Sequence, residues 1–533
     1  MTTTEIVGLL VIGSFLLIPL IMGGLASRKA AATAEDFFIQ GRGMGSIAVF
    51  FTVAATWWSA FAFLGSNASF YLDGPLYWTA IAWNIFFGVM YYLVGKRIWF
   101  HGKRGRYVTP RDFFVDLYGS RKLGTFIAVI LLVFTLPHLQ IQLTGGAYLM
   151  EVASNGVLPF WLAGLLFYLV IIIYVWSGGL RAVAWTDIFY GVLLFTGMIT
   201  AGIFLVGEVG GMGTMFDEIE QIQPENLILA DGAWMAWIAM FVITPIGAFM
   251  GPQMWTRMYA TRSPRLFDLM PFLLAVAAIS YVGSMLIGNA AVVLDPDVEA
   301  ADQVLPRMLL DYAPIVLALV LIACGAAAAM STANSQVHAM AASYTVDFHE
   351  KYVQKNLTEN KRVWVGRWAI LVFSAVAYVM TLYIPGLLVT IGLVAFAGLA
   401  QVIVPTLGAL FWSRASVAGA TAGLVVGVGG VVLFTAVPEV LPGPFAAGGG
   451  GLLALLLNIV VFVGVSLVTR PREPGIMATF RARTRDFRKE LWDSEDQEQT
   501  GQEQTGQEQT GQEQTGREQT GQEQTGQAQA DRR

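Results

Sequence analysis

Hydrophobic residues run along this chain in long unbroken blocks instead of alternating with polar ones, and those blocks define its elements. Stretches free of Asp, Glu, Lys and Arg cover 6–27, 43–72, 74–95, 123–150, 152–180, 188–207, 232–256, 269–294, 312–346, 368–413, 415–438 and 440–469. A helix rising about 1.5 Å per residue needs about 20 apolar residues to cross about 30 Å of hydrocarbon, so each block predicts a crossing. The 368–413 block is long enough for two, and Pro385-Gly386 stands near its middle, where a turn belongs. The pattern therefore predicts an all-α polytopic membrane protein with thirteen transmembrane helices.

Charge then orients the chain. With an odd number of crossings the ends lie on opposite sides, and the excess of Lys and Arg marks the cytoplasmic one. Placing the N-terminus outside sorts the bases cleanly: of 32, only Arg307 is left outside. The acid-rich loops 208–231 and 295–311 then also fall outside, and the C-terminus is cytoplasmic, as expected of a multi-pass protein of the cell membrane. The first block lacks a basic n-region and a small-residue cleavage site, so it reads as a helix and not as a signal peptide.

Composition narrows the functional classes. With 56% hydrophobic and 13% charged residues the chain is not an ordinary soluble enzyme, since a soluble domain carries about a quarter charged residues. Acids exceed bases by 37 to 32, which does not suit a nucleic-acid binder. A single cysteine, Cys324, and four scattered histidines are too few for a zinc or iron-sulfur site of ordinary spacing. After Arg470 the character changes, and from Gln497 to Gly526 the repeat Gln-Glu-Gln-Thr-Gly recurs. The segment 470–533 is expected to be a disordered cytoplasmic tail.

Polar residues inside spans are candidate sites, because hydrocarbon does not solvate them. In the second span, Ala54-Ala55-Thr56-Trp57-Trp58-Ser59-Ala60-Phe61-Ala62-Phe63-Leu64-Gly65 combines small residues with hydroxyls. Such a helix can unwind and offer backbone carbonyls to a hard cation, or it can simply pack closely. In the ninth, Ser331, Thr332, Asn334 and Ser335 fall within five residues. Their hydroxyls suit a cation, or they bond back to the preceding turn. Asp187 is the one carboxylate that interrupts a span; it needs water, a cation or a headgroup-level pairing with Arg181. The segment from Pro137 to Thr144 adds Gln140 and Gln142, which either contact a solute or bond between helices. Gly419, Gly423 and Gly427 recur every four residues and form a packing stripe. No base and nucleophile recur at catalytic spacing, so the chain is not expected to be an enzyme.

From Glu35 to Trp412 the sequence resembles the sodium:solute symporter family of sodium/proline, sodium/pantothenate, sodium/monocarboxylate and sodium/glucose carriers. The resemblance rests on Asp36-Phe37-Phe38, Gly41-Arg42, Ala55-Thr56, Ser59-Ala60, Thr109-Pro110-Arg111-Asp112-Phe113-Phe114, Gly178-Gly179-Leu180-Arg181, Trp185-Thr186-Asp187, Ala329-Met330-Ser331-Thr332, Ser335-Gln336 and Asp347, in this order. It implies a leucine-transporter-like architecture of two inverted five-helix repeats. The core would cover 45–412, with repeats at about 45–207 and 232–412. It would follow a first helix and cytoplasmic loop (1–44) and precede two accessory helices (413–469).

The resemblance also implies sodium as the coupling ion. Its site would use the backbone carbonyls of Ala55, Trp58 and Ala328 and the hydroxyls of Ser331 and Thr332. Asp187, Asn334 and Ser335 become candidates for a second sodium site or for coupling. Departures bear on the solute. Sugar carriers have Gln where this chain has Ala62, which disfavours a sugar. Proline carriers have an acid where this chain has Trp57, and Trp, Tyr and Pro-His where it has Thr244, Ala248 and Pro252-Gln253. The candidate solute contacts, Phe61, Gln140, Gln142, Thr244, Gln253 and Trp255, are uncharged, which suits a small organic acid or amino acid. The implied function is sodium-driven import of such a solute by alternating access. Proton coupling through Asp187 and passive facilitation are the alternatives.

Overall fold

The computed structural model describes residues 3–28, 33–384, 386–446 and 448–478, with scattered positions between 480 and 489. The chain divides into Met1–Ile476 and Met477–Arg533. The Gln-Glu-Gln-Thr-Gly repeats lie outside the described residues.

The regular structure of the first unit is helical, and the β-type pairing among the described residues is an isolated bridge between Met44 and Thr261. Among the described residues, ten helices are long and apolar enough to cross a membrane. An eleventh crossing arises if the bent pair Trp234–Met250 and Pro252–Ala260 acts as one. The helices that carry the site are α1 (Ser46–Trp57), α2 (Arg121–Ala153), α3 (Phe160–Glu208), α4 (Trp234–Met250), α5 (Pro252–Ala260), α6 (Ile315–Ser343) and α7 (Leu388–Ala400).

Three local breaks shape this bundle, each with a cause in sequence. The helix α1 ends at Trp57, Trp58 leaves helical geometry (φ −80°, ψ 79°), and a π turn over Phe61–Gly65 resumes the direction. The helices α4 and α5 meet at a 56° bend. There Gly251 is extended (ψ 138°) because it precedes Pro252, whose ring disfavours helix in the residue before it and suits the first turn after it. Within α3, Gly179 takes φ 55° and ψ −147°, a conformation essentially reserved for glycine, and a Cβ there would lie 2.5 Å from the Phe37 carbonyl oxygen.

The last two long helices, Val417–Ala436 and Gly450–Val468, pack on each other through the small-residue stripe. A Cβ on Gly419 would reach the Ser466 hydroxyl at 2.0 Å, and one on Gly423 the Asn458 side chain at 2.5 Å. Gly427 faces the Gln401 side chain in the same way. Close backbone approach is what holds helices together where no hydrophobic drive separates protein from lipid.

Candidate functional site

Ending a helix in mid-bundle frees carbonyls that hydrocarbon cannot satisfy, so something polar must cover them. At the end of α1, the hydroxyls of α6 do this. Ser331 Oγ donates to the Ala55 carbonyl at 2.6 Å and lies 2.9 Å from the Ala328 carbonyl, and Thr332 Oγ1 donates to the Thr56 carbonyl at 2.9 Å. All these residues are buried. The structure thus brings Ala55, Ala328 and Ser331 together at one point, with Thr332 beside them on Thr56 and Trp58 at the break itself. Neutral oxygens from two helices, converging where backbone is irregular, have the chemistry of a sodium site. On the far side of the break, the Ala60 amide donates to Gln142 Oε1 at 2.8 Å.

One helical turn further along α6 lies a second polar cluster. Asp187 is fully buried and accepts from Thr52 Oγ1, from Asn334 Nδ2 at 3.2 Å and from Arg257 Nη2 at 3.2 Å. Arg257, on α5 and equally buried, also donates to Ser335 Oγ, to the Thr52 carbonyl at 3.2 Å and to the Gln253 carbonyl at 2.9 Å. A pairing of Asp187 with Arg181 is overturned, because Arg181 binds Asp36 at 2.7 Å instead. Burying either charge alone would be costly, and pairing is what makes both tolerable. Asp187, Asn334 and Ser335 therefore surround a cation the chain already supplies. Ser335 links the two clusters: its hydroxyl reaches the Ser331 carbonyl at 2.8 Å and Thr56 Oγ1 at 3.0 Å.

A third feature is an aromatic wall centred on Phe396 of α7. Phe61 meets that ring edge-on at 5.3 Å, His138 at 4.6 Å, and Trp57, which stacks on Phe87 at 4.6 Å, at 6.5 Å. Gly247 lets α4 pass over the Phe396 backbone, since a Cβ there would lie 2.2 Å from its carbonyl oxygen. Thr244 stands one turn from Gly247 on the same face. Thr244 Oγ1, Gln253 Oε1, Trp57 Nε1 and both ring nitrogens of His138 are buried without a protein hydrogen-bond partner.

Of the expected solute contacts, Phe61 and Thr244 join this wall and Gln253 lies where α5 begins. Three others are placed differently. Gln140 donates to the Ile384 carbonyl at 2.7 Å, and Gln142 Oε1 accepts from the Ala60 amide at 2.8 Å. The reason is geometric: residues two apart on a helix point to nearly opposite sides, and the alternation of Gln140 and Gln142 does not make one face. Trp255 packs against Phe113 and Phe114 of the helix Pro110–Tyr118, away from Phe396. His138 lies in the 137–144 segment that the sequence singled out and Trp57 at a departure from the proline carriers, but neither was among the candidate solute contacts, and Phe396 was not singled out. A buried histidine was a visible signal, whereas a phenylalanine in an apolar run gave none.

A model of the sodium:solute symporter family matches residues 37–427. The chain belongs to the sodium:solute symporter family. Among its relatives, an uncharacterized symporter, YhjB, of Bacillus subtilis is 25% identical over 87% of this chain and 97% of its own length. The sodium/proline symporter of Escherichia coli is 25% identical over 82% of this chain and 90% of its own. A Rhizobium johnstonii monocarboxylate transport permease is 26% identical over 89% and 99%. Among solved structures, a sodium-coupled sialic acid symporter in a substrate-bound outward-open state superposes with a TM-score of 0.74 at 19% identity, covering 87% of this chain and 98% of that one. The nucleobase-cation transporter Mhp1 superposes with a TM-score of 0.58 at 14% identity, over 85% and 98%. These likenesses show a shared transporter fold. As a member of this family the chain is a multi-pass membrane protein that couples sodium to the movement of a small solute.

Proposed function

We propose that this symporter imports a small carboxylate-bearing solute with one sodium ion per cycle, and that the sodium binds at the break of α1. The observation that carries the reading is the convergence of Ser331 Oγ on the carbonyls of Ala55 and Ala328. Trp58 and Thr332 complete the proposed ligand set. The role assigned to Asp187, Asn334 and Ser335 is coupling, not a second sodium, because the Arg257 guanidinium sits among them. Sodium as the coupling ion is supported by the sodium:solute symporter family to which the chain belongs.

The relatives named for proline, pantothenate and monocarboxylates have solutes with a carboxylate in common. The uncharged wall around Phe396 suits the apolar part of such a molecule. Thirteen crossings follow if the 61–105 and 160–208 helices are each divided, at residues 74–78 and at Gly179, if α1 joins the segment beginning at Phe61, and if α4 and α5 form one. In that reading two inverted repeats occupy about 45–207 and 232–412, with the N-terminus outside.

The test is uptake of labelled lactate, pyruvate, propionate, pantothenate and proline into proteoliposomes, driven first by an inward sodium gradient and then by an equal proton gradient. Accumulation of one or more of these acids with sodium alone is expected. Accumulation driven by protons alone would overturn the coupling assignment.

A further inference from the structure

We propose that His138, together with Trp57, is the donor pair that receives the carboxylate of the transported solute and so sets its specificity. The assignment rests on the function proposed above and deepens it.

His138 stands one residue after Pro137 in α2 and is 3% exposed. Its helical face is fixed by its neighbours at i+4 and i+7. Gln142 caps the Ala60 amide, and Gly145 is so close to the same turn that a Cβ would lie 2.7 Å from the Ala60 side chain. The face that carries His138 therefore looks at the break of α1, one turn away from the contact. Across from it the imidazole rests on Phe396, the ring on which Trp57 and Phe61 also converge.

Inside a membrane protein an imidazole with no partner for either nitrogen forgoes hydrogen bonds that water would supply. His338, also buried, has one bond, with Nε2 2.9 Å from the Phe37 carbonyl oxygen and only Nδ1 unpartnered, whereas both ring nitrogens of His138 lack a partner. The contrast marks His138 as waiting for a ligand. A neutral imidazole offers one N–H, and Trp57 Nε1 adds a second unpartnered N–H on the same ring. Both rings pack on Phe396, so two unpartnered N–H donors border one aromatic cluster, a number that matches the two oxygens of a carboxylate, with Phe61, Phe87 and Phe396 available to its apolar body. The side chains that meet on Phe396 carry no charge, so the negative head depends on these two donors and on the bound sodium.

The test compares the parent with His138→Ala and His138→Gln in proteoliposomes. The probe is whichever of lactate, pyruvate, propionate, pantothenate and proline the parent takes up with sodium, offered against competition by its primary amide. In the parent the amide should compete poorly. In His138→Ala the KM for the acid should rise about tenfold or more, the size of one lost charge-assisted hydrogen bond. Acid and amide should then compete alike, while the sodium concentration for half-maximal uptake stays within about twofold. His138→Gln keeps an N–H donor and should recover most of the discrimination, and it carries the test if the alanine variant does not fold. An unchanged KM, or a KM that rises with discrimination intact, would overturn the assignment. If the parent takes up none of the acids with sodium, the function proposed above fails and this assignment falls with it.

Discussion

At the scale of single residues, the structure is governed by which buried polar groups find partners. Asp302 shows this in the short helix Ala301–Gln303. Its carboxylate accepts the Leu388 amide at 3.1 Å and so caps the start of α7, yet burial pushes its pKa up to about 6, only partly offset by that bond. A folded-state value above the ordinary 3.8 means the folded protein prefers the protonated acid. Its contribution to stability is complete below about pH 4 and is lost as the pH rises toward about 6. The purified parent should show part of its melting temperature falling across that window. Asp302→Asn keeps an acceptor for Leu388 and cannot ionise, so it should remove that part and melt higher at pH 7. A variant as pH-dependent as the parent between pH 4 and 6 would contradict this.

Arg257 and Asp187 make the same point more severely. Arg257→Gln should strand a buried carboxylate and cost about 3–5 kcal/mol, whereas Arg257→Gln combined with Asp187→Asn should cost much less than the sum of the two single changes. Thermal melts of the four proteins in detergent would measure this. Additive losses would mean that the two groups do not act as a pair.

At the scale of elements, function is built where helices fail to be straight. Trp58, Gly179 and Gly251 interrupt three of them. Gly179→Ala would place a Cβ against the Phe37 carbonyl in a backbone conformation that alanine resists. A loss of about 2–4 kcal/mol in stability is expected, read as a lower melting temperature and lower yield of folded protein. Wild-type stability would show that α3 can be rebuilt without the kink.

Much of this was legible in the sequence, for a physical reason. A span must be long and uncharged, so the blocks 123–150 and 415–438 gave Arg121–Ala153 and Val417–Ala436 almost directly. The small residues and hydroxyls around Thr56 and Ser331 announced the break and its cover. Charges divide the sequence at Asp73 and between Arg181 and Asp187, however, whereas the structure carries 61–105 and 160–208 as continuous helical stretches. The partners of charged residues were less legible still. Arg181 is six residues from Asp187 in sequence, yet Asp187 pairs with Arg257, seventy residues away, because only the fold decides which face of α5 meets α3.

At the scale of the whole molecule, the two polar clusters and the aromatic wall form one connected region at the centre of the bundle. Ser335 touches both the proposed sodium ligands, through Ser331 and Thr56, and the Asp187–Arg257 pair. Arg257 sits on α5, the half-helix beyond the bend whose first half, α4, crosses Phe396. Binding sodium at the end of α1 can therefore bias the arrangement of α4 and α5 through direct contacts, which is the differential stabilisation that coupling requires. With Arg257 as a resident cation, one sodium should move with each solute. A charge crossing the membrane is worth about 2.3 kcal/mol per 100 mV, enough with the sodium gradient to concentrate a solute many-fold.

The most direct test of the account is equilibrium binding of radioactive sodium to the purified parent and to Ser331→Ala. The account predicts a single saturable site in the parent and an affinity about tenfold weaker or worse in the variant, with both proteins melting at similar temperatures. Equal sodium affinity in the two proteins would contradict it, because the oxygen that joins Ala55 to Ala328 would then play no part in holding the ion.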